Sequence, residues 1–335
     1  MRVLVTGGAG YIGSHAVREL LAQDHDVVVL DDLSNGHRAA VHDQARFVRG
    51  STADFDLVAD LLEELRIEAV MHFAANIEVA ESVSDPYKYY GNNFKNSLTL
   101  LRAMHDTGVK KIVFSSTAAV YGNPDHVPIK ETARREPINP YGRSKMMTEM
   151  ALEDFARAYG LGYVILRYFN VAGAHPDASI GEDHHPETHL LPRLLQAARD
   201  GHGEAKIFGT DYPTPDGTCI RDYVHVVDLV RAHVLALNAI IPGQGEVYNL
   251  GSEKGFSVRE VIAACERVTG RRLVISEQGR RAGDPAILIA SSRKVRESLG
   301  WERLYPDLET IVEHAWKWHV SHPQGFATNA PISQE

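Results

Sequence analysis

The chain has 335 residues, of which 44% are hydrophobic and 24% are charged, and this length favours one large domain with a smaller one. A net charge of −9 without a basic run argues against nucleic acid as a partner. Two widely separated cysteines argue against a disulfide framework, and no apolar run is long enough to cross a membrane.

The first predicted element is a buried parallel strand at residues 2–6. It follows the first residue without a signal-peptide pattern, so we expect a cytoplasmic protein. The strand leads into Gly7-Gly-Ala-Gly-Tyr-Ile-Gly13, and a helix is predicted from Ser14 to Ala22. Glycines at this spacing permit a tight turn, a close approach of the backbone to a pyrophosphate, and close packing of helix on strand. The start of the helix offers free N–H groups to phosphates.

The second predicted strand, Asp26–Leu30, is followed by Asp31 and Asp32. An acidic residue about 20 positions after the glycines holds a ribose hydroxyl in dinucleotide-binding proteins. A carboxylate at this place would repel a 2′-phosphate. The sequence therefore predicts NAD rather than NADP as the cofactor.

Further strands and helices alternate along the chain. Strands are predicted at 68–73, 110–115 and 163–168, with helices at about 85–107 and after the start signal Asn139-Pro140. This order predicts an α/β fold: a doubly wound parallel sheet in a Rossmann-type NAD-binding domain, with a smaller C-terminal α/β substrate lobe. Ligand-binding residues are expected where the strands end.

The segment Tyr141-Gly-Arg-Ser-Lys145 contains the strongest candidate for catalysis. Two residues four apart share one face of a helix, so the ammonium of Lys145 is predicted to favour the ionised form of the Tyr141 phenol. Lowering a phenol pKa from about 10 to about 7 takes about 4 kcal/mol, and a cationic nicotinamide could supply part of it. Tyr141 is thus predicted to act as a general base, with Thr117 relaying the proton. A surface lysine packed on a tyrosine and a loop-capping threonine are the structural alternatives.

The motifs described above lie in longer segments that match the extended short-chain dehydrogenase/reductase superfamily. The chain resembles this superfamily over nearly its whole length. Within it, the chain is most similar to the UDP-glucose 4-epimerase family. The segments that carry the resemblance are Thr6-Gly-Gly-Ala-Gly-Tyr-Ile-Gly-Ser14, Asp32-Leu-Ser-Asn35, Glu81-Ser-Val, Phe114-Ser-Ser-Thr-Ala-Ala-Val-Tyr-Gly122, Asn139-Pro-Tyr-Gly-Arg-Ser-Lys145, Leu166-Arg-Tyr-Phe-Asn170, Phe208-Gly-Thr-Asp-Tyr-Pro-Thr-Pro-Asp-Gly217 and Arg221-Asp-Tyr-Val-His225.

The resemblance implies an isomerase of galactose metabolism that interconverts UDP-glucose and UDP-galactose. Tyr141 would take the proton from the sugar 4-hydroxyl with help from Thr117, and NAD⁺ would take the hydride from C4. The 4-keto sugar would turn over in the site and receive the hydride on its other face. Because the cofactor is regenerated, it is expected to stay bound. The family also suggests a homodimer.

The resemblance also assigns residues to each ligand. The expected cofactor residues are Gly7, Gly10, Tyr11, Ile12, Gly13, Asp31, Asp32, Ser34, Asn35, Phe73, Ala74, Ala75, Asn92, Ser115, Tyr141, Lys145 and Tyr168. The expected substrate residues are Thr117, Tyr141, Asn170, His189, Leu190, Phe208, Arg221, Arg281 and Asp284. Arginine suits a diphosphate because its planar fork binds two oxygens at once, although a single surface arginine more often forms an ion pair.

The predicted domain boundaries leave both domains discontinuous. The NAD-binding domain is expected at 1–170 with returning segments at about 223–242 and 291–322. The UDP-sugar lobe is expected at 171–222 and 243–290, and 323–335 is expected to be a mobile tail.

The acidic and histidine-rich stretch 182–189 has the composition of a metal site. It contains Glu182, Asp183, His184, His185 and His189. The epimerase pattern accounts for this stretch without a metal, so no metal is predicted.

Three positions depart from the pattern of many relatives. Ser51 replaces an aspartate near the adenine, which could loosen NAD, and Ile77 replaces a lysine near the cofactor. Leu288 stands where some relatives place a bulky tyrosine that excludes acetylated sugars. We therefore hypothesise some activity on UDP-N-acetylglucosamine.

Other functions remain open on the same fold. A 4,6-dehydratase or a UDP-glucuronate decarboxylase needs acidic groups beside the strand-end hydroxyl, whereas Thr117 is followed by Ala118 and Ala119. A 4-epimerase of UDP-pentoses or UDP-uronates would keep the same residues. A non-catalytic NAD-sensing protein would not need Thr117, Tyr141 and Lys145 together.

Overall fold

The computed structural model describes residues 1–201, 204–281 and 284–326. Short β-strands occur throughout these ranges. In chain order they are β1 (Arg2–Thr6), β2 (Asp26–Asp31), β3 (Arg46–Arg49), β4 (Ala69–His72), β5 (Lys111–Thr117), β6 (Gly162–Tyr168), β7 (Asn170–Ala172), β8 (Glu204–Phe208), β9 (Ile220–Arg221), β10 (Tyr223–His225), β11 (Gly245–Leu250), β12 (Phe256–Ser257), β13 (Val274–Gln278) and β14 (Ile287–Leu288).

Helices connect most of these strands. They are α1 (Tyr11–Ala22), α2 (Phe55–Glu64), α3 (Val79–Ser84), α4 (Pro86–Tyr89), α5 (Asn96–Thr107), α6 (Pro140–Tyr159), α7 (Leu190–Asp200), α8 (Val226–Ala239), α9 (Val258–Thr269), α10 (Arg293–Leu299) and α11 (Leu308–Ser321), with 3₁₀ turns at Arg38–Ala40 and Ala118–Tyr121 and a π-helical segment at Tyr90–Lys95. In the described part of the chain, none of the helices has the length and apolarity that crossing a membrane requires.

The large domain is built on a seven-stranded parallel sheet with the order β11-β6-β5-β4-β1-β2-β3. One face of the sheet packs on α1 and α8 through residues such as Val17 and Leu229. The other face packs on α2, α5 and α6 through residues such as Leu61, Leu100 and Leu152. The predicted doubly wound, Rossmann-type fold is confirmed. The strand order reverses between β4 and β1, where folds of this type bind dinucleotides at the carboxyl ends of the strands.

The smaller lobe has its own apolar core. Helices α7, α9 and α11 pack together through Leu195, Val261 and Val312, each of which is fully buried. The lobe also contains a parallel pair, β8 with β13, and a three-stranded sheet in the order β12-β9-β14. This lobe lies beyond the carboxyl ends of the large sheet because the segments after β6 and β11 lead into it.

One predicted boundary is wrong. We predicted that residues 243–290 belong to the smaller lobe, but β11 pairs in parallel with β6 and forms an edge of the large sheet. The reason is that strand pairing is a long-range interaction that residues 245–250 do not encode locally. Strand β3 also extends the sheet, and helix α2 packs on one face of it. Our prediction included neither element. The predicted mobile tail falls largely on residues 327–335, which lie outside the described residues.

Five deeply buried histidines make the fold sensitive to acid. Burial lowers the pKa of His15, His72 and His225 to about 3 and those of His233 and His319 to about 4. A histidine in an unfolded chain has a pKa near 6.5, so the unfolded state binds more protons below that pH. Stability therefore falls as the pH drops from about 6.5 toward 4, by up to about 1.4 kcal/mol per pH unit for each histidine.

We expect the urea midpoint of unfolding, followed by circular dichroism, to fall steeply between pH 6.5 and 5. His72 is held between Thr6 Oγ1 at 2.7 Å and Ser97 Oγ at 2.8 Å. Replacing His72 with Gln keeps polar contacts available and should reduce the proton uptake on unfolding by about one proton. A midpoint that is constant over this pH range would contradict the assignment.

Candidate active site

The loop between β1 and α1 runs very close to neighbouring backbone. Gly7 has a φ of +73°, and a Cβ atom there would lie 2.6 Å from the backbone nitrogen of Ala74. A Cβ on Gly13 would lie 2.0 Å from the carbonyl oxygen of Gly7, so only glycine fits. Gly10 precedes α1 without a side-chain cap, which leaves the first N–H groups of the helix available to an anion. This cradle fits the pyrophosphate of a dinucleotide.

Asp31, at the end of β2, supports this loop. Its Oδ2 accepts a hydrogen bond from the N–H of Ala9 at 2.9 Å, and its Oδ1 accepts one from the N–H of Leu33 at 2.9 Å. Burial raises the pKa of this carboxyl group, whereas the two N–H groups act to lower it. Asp32 is exposed and lines the same cavity as Asp31. The sequence did not reveal that Asp31 braces the loop while Asp32 presents its carboxylate to the cavity.

A cavity of about 1560 Å³ extends from the glycine loop to the smaller lobe. It exceeds the roughly 300–1,000 Å³ of common ligand pockets and can accommodate two extended ligands. Every residue predicted to bind cofactor or substrate lines it except Thr117. The predicted residues that line it are Gly7, Gly10, Tyr11, Ile12, Gly13, Asp31, Asp32, Ser34, Asn35, Phe73, Ala74, Ala75, Asn92, Ser115, Tyr141, Lys145, Tyr168, Asn170, His189, Leu190, Phe208, Arg221, Arg281 and Asp284.

Helix α6 positions the candidate catalytic pair. Its first N–H groups are capped by Asn139, whose Oδ1 accepts a hydrogen bond from the N–H of Gly142 at 2.8 Å, and Pro140 occupies the first helical position. Tyr141 and Lys145 then lie one turn apart. The Nζ atom of Lys145 donates a hydrogen bond to the carbonyl oxygen of Ser115 at 2.9 Å and lies 5.0 Å from the centre of the Phe114 ring. The helix is thereby tied to the end of β5.

Burial dominates the environment of the pair. Burial raises the pKa of Tyr141 and the negative charge of Glu78 raises it further, although the Thr117 hydroxyl acts to lower it. Burial also lowers the pKa of Lys145 to about 7, so this side chain is only partly charged at neutral pH. In the protein alone Tyr141 therefore stays a phenol, and the predicted general base depends on the positive charge of the bound cofactor as well as on Lys145.

Sequence reasoning missed a polar network beneath this pair. Asn93 accepts a hydrogen bond from the N–H of Asn76 at 2.8 Å and donates one to Ser144 Oγ at 3.2 Å. Asn93 lies in the π-helical segment between α4 and α5, a conformation that often marks functional sites. The available signal was a pair of asparagines, 92 and 93, within a predicted helix. This network links α6 to the backbone that follows β4.

Glu78 is a second residue that the sequence did not identify. The Thr188 hydroxyl donates one hydrogen bond that the two carboxylate oxygens of Glu78 share, with distances of 2.7 and 2.9 Å, and both residues line the cavity. The contact joins the segment after β4 to the segment before α7. Tyr89 lies on the same side, edge-on to Tyr141 with ring centres 6.4 Å apart. The signal for Glu78 was its place shortly after a strand end.

The far end of the cavity carries two arginines. Arg221 forms an ion pair with Asp284, and both side chains are partly exposed. The guanidinium of Arg281 lies 3.9 Å from the centre of the Phe208 ring. Arginine can hold a phosphate and an aromatic ring can hold a flat base, although Arg281 already covers one face of this ring. Four of the predicted substrate residues, Phe208, Arg221, Arg281 and Asp284, thus share this end of the cavity.

His189 and Leu190 mark the start of α7, where an anion would meet free N–H groups. The Nδ1 atom of His189 lies 2.8 Å from Glu182 Oε1 and 3.2 Å from Glu187 Oε1. Burial acts to lower the pKa of His189, but these two carboxylates raise it well above its usual range. A histidine at this position is therefore positively charged at neutral pH.

The three departures from the family pattern lie in different places. Ser51 and Ile77 line the cavity. Leu288 instead packs against Val120, Tyr121 and Ile129 and is outside the cavity lining of the described residues. Any effect of Leu288 on the sugar would therefore be transmitted through this small apolar cluster.

Comparisons with known proteins agree with this geometry. The NAD dependent epimerase/dehydratase family matches residues 3–251. A UDP-glucose 4-epimerase of Lacticaseibacillus casei is 53% identical over 97% of this chain and 99% of its own length. The UDP-glucose 4-epimerase of Brucella ovis, solved with NAD, is 47% identical with a TM-score of 0.90, covering 94% of this chain and 97% of that one.

A third relative extends the range of substrates. The UDP-Glc/GlcNAc 4-epimerase of Campylobacter jejuni is 43% identical with a TM-score of 0.83, covering 96% of this chain and 99% of that one. The resemblance inferred from the sequence is thereby confirmed. The chain belongs to the NAD dependent epimerase/dehydratase family, part of the extended short-chain dehydrogenase/reductase superfamily, and its relatives there are UDP-glucose 4-epimerases.

Proposed function

We propose that this protein is an isomerase that interconverts UDP-glucose and UDP-galactose by inverting C4, with NAD as its cofactor. Relatives of about half identical sequence are UDP-glucose 4-epimerases, and the Brucella ovis enzyme was crystallised with NAD. One observation carries the proposal: Tyr141, Lys145 and Thr117 meet at the carboxyl end of β5, beside the cavity that the glycine loop also lines.

Each of these residues has a distinct role. Tyr141 takes the proton from the 4-hydroxyl of the sugar and later returns it, and the hydroxyl of Thr117, which acts to lower the pKa of the phenol, assists it. Lys145, held by the Ser115 carbonyl, places its ammonium near the phenol. Bound NAD supplies the acceptor and then the donor of the hydride. Since proton and hydride both return to the sugar, no net oxidation occurs.

The pKa values of Tyr141 and Lys145 indicate under which conditions the phenolate of Tyr141 forms. Burial keeps the Tyr141 phenol protonated at neutral pH in the protein alone. A phenolate therefore requires additional positive charge, from the protonated form of Lys145 and from the oxidised cofactor. Proton abstraction by Tyr141 therefore requires that the oxidised cofactor is bound. Free protein would then not carry a reactive phenolate.

The UDP moiety is held by the opposite end of the cavity. Arg221 and Arg281 face the diphosphate, Phe208 faces the uracil, and the positively charged His189 lies at the start of α7. Firm binding of UDP through charged and planar contacts leaves the sugar to turn over between the two hydride transfers. The reaction needs a fixed UDP and a mobile sugar, because both faces of C4 must in turn face the same cofactor.

The direct test is to incubate the purified protein with UDP-galactose without added cofactor and to separate the products. We expect UDP-glucose to form, which would show 4-epimerisation and retained NAD together. Activity that appears only after NAD is added would mean a loosely held cofactor, in line with Ser51 at the cavity wall. No UDP-glucose under either condition would contradict the hexose assignment.

UDP-N-acetylglucosamine is a second candidate substrate. The double specificity named for the Campylobacter jejuni relative supports it, whereas Leu288 lies outside the cavity lining of the described residues and adds no direct room for an acetyl group. Turnover below detection in the same assay would remove it. UDP-pentoses and UDP-uronates remain the alternatives if neither hexose reacts, whereas a dehydratase or decarboxylase has less support because the curated relatives are epimerases.

Further proposals concern the whole molecule. We place the NAD-binding and UDP-sugar-binding parts on the large sheet and the smaller lobe, respectively, and the protein in the cytoplasm. We also propose a homodimer. The exposed apolar residues Val83, Tyr87 and Met150 on α3, α4 and α6, which are neighbouring helices, support a second copy on this face.

A further inference from the structure

The segment between β7 and α7 contains a compact group of four metal-binding side chains, Glu182, His184, Glu187 and His189. One donor atom from each lies within 4.8 Å of every other. The Nδ1 atoms of both histidines point at the same oxygen, Glu182 Oε1, at 2.8 Å for His189 and 3.3 Å for His184. Two imidazoles and two carboxylates thus converge on one point. A metal ion here would displace the protons that the two Nδ1 atoms share with Glu182, so the ion, in place of the imidazolium of His189, would supply the positive charge at this end of the cavity.

Two buried atoms of this group make no hydrogen bond of good geometry, Nδ1 of His184 and Oε2 of Glu187, and they lie 3.8 Å apart. His184 Nδ1 has only the ion-pair contact of 3.3 Å with Glu182 Oε1. The Glu187 side chain is only 6% exposed. A buried carboxylate oxygen without a partner is costly, because its desolvation is not compensated. A cation between these atoms would satisfy both of them.

We propose that Glu182, His184, Glu187 and His189 bind a divalent transition metal ion, and that Zn²⁺ is its natural occupant. Zn²⁺ takes four ligands in a tetrahedron with bonds of about 2.0–2.2 Å, which places neighbouring ligand atoms about 3.4 Å apart. Both histidines lie near this distance from Glu182 Oε1, at 2.8 and 3.3 Å, and the nearest contacts with Glu187 are 3.2 Å to Oε1 and 3.8 Å to Oε2. The four donor atoms all lie within 4.8 Å of one another, so the site must contract to bind the ion. Small side-chain rotations complete the site.

The ligand chemistry selects the class of metal. Imidazole nitrogen suits Zn²⁺ and its first-row neighbours, whereas Mg²⁺ and Ca²⁺ prefer all-oxygen sites. Asp183 and His185, which lie in the same metal-like stretch of the sequence, make other contacts or face solvent. Asp183 Oδ2 accepts a hydrogen bond from the N–H of Phe326 at 2.8 Å, and the His185 side chain is 77% exposed. Glu187 takes their place in the cluster.

The ion would fix one wall of the cavity. Glu182 and His189 both line the cavity, and the carbonyl of Glu182 accepts a hydrogen bond from Trp318 Nε1 at 3.0 Å, which anchors the group to α11. His184 lies edge-on to Tyr11 of the glycine loop, with ring centres 6.4 Å apart. A metal here would therefore connect the smaller lobe to the cofactor loop. This role is separate from the proposed epimerisation chemistry.

The test is the metal content of the full-length protein after saturation with ZnCl₂ and gel filtration, measured by mass spectrometry. We expect about one Zn²⁺ per chain and a rise of several degrees in the melting temperature with added Zn²⁺. His184→Gln and Glu187→Gln should lose both effects. His185→Gln, the same change at the adjacent exposed histidine, should keep both.

The proposal would be overturned if the unmodified protein bound no zinc and showed no thermal shift. It would also be overturned if His185→Gln lost as much zinc as His184→Gln and Glu187→Gln. If His184→Gln fails to fold, the thermal shift of the unmodified protein and Glu187→Gln still decide the matter. Metal content is measured without turnover. A failure of the epimerase assay and a failure of this proposal are therefore distinguishable.

Discussion

Replacing Tyr141 with Phe is expected to slow the conversion of UDP-galactose by about 10²–10⁴-fold while bound NAD is retained. The substitution removes only the hydroxyl that exchanges the proton with the sugar. The ring keeps its edge-on contact with Tyr89, and Lys145 keeps its hydrogen bond to the Ser115 carbonyl. Initial rates should be measured with NAD content determined on the same sample.

A matched control is available on the same helix. Tyr159 lies at the last turn of α6, is 47% exposed, and is about 27 Å along the helix from Tyr141. Tyr159→Phe should leave the rate unchanged. If Tyr141→Phe kept a rate within a few-fold of the unmodified protein, another group would have to be the base.

Replacing Glu149 with Ala is expected to lower the free energy of unfolding by about 3–5 kcal/mol. Glu149 is fully buried in α6, and its carboxylate accepts hydrogen bonds from Arg167 Nε at 2.9 Å and Nη2 at 2.6 Å. The Arg167 side chain, on β6, is only 3% exposed. Removing the carboxylate leaves this guanidinium charge buried with the Tyr121 hydroxyl and the Glu131 carbonyl as neutral partners.

Glu153, one turn further along α6, provides the comparison. Its carboxylate lies 2.9 Å from Arg135, and both side chains are about a quarter exposed. Glu153→Ala should cost less than about 1 kcal/mol. Replacing Glu149 and Arg167 together with Met should recover much of the loss, since no unpaired charge remains. Urea unfolding followed by circular dichroism gives all three values, and equal costs for Glu149→Ala and Glu153→Ala would refute this account.

Local sequence patterns were sufficient for the parts of the fold that depend on neighbours in the chain. The glycine loop, the acidic end of β2 and the capped start of α6 each need only short segments, and the structure has all three. Strand bounds were close as well, because buried parallel strands have apolar runs of characteristic length. The resemblance then placed the remaining residues on a known framework. This explains why nearly every predicted residue reaches one cavity.

The remaining features depend on contacts between distant segments. Strand β11 pairs with β6, which is distant in the chain, so no local pattern predicts the pairing. The pKa values of Tyr141 and Lys145 depend on how deeply the two side chains are buried, which a sequence motif does not specify. No sequence pattern identifies Glu187 as a possible metal ligand. Its position beside His184 becomes evident only in the folded loop. Properties that arise from desolvation and long-range packing are therefore the ones that sequence analysis misses.

Tyr141, Lys145 and Glu149 lie at intervals of one turn on α6, so the catalytic pair and the buried ion pair with Arg167 share one rigid element. Backbone amides in the first half of this helix should exchange with solvent only when the whole domain opens. The facing wall consists of shorter segments joined by the Glu78–Thr188 contact, which local fluctuations can open. We therefore expect substrate to enter through that wall, while the stability of the fold itself keeps Tyr141 and Lys145 in place.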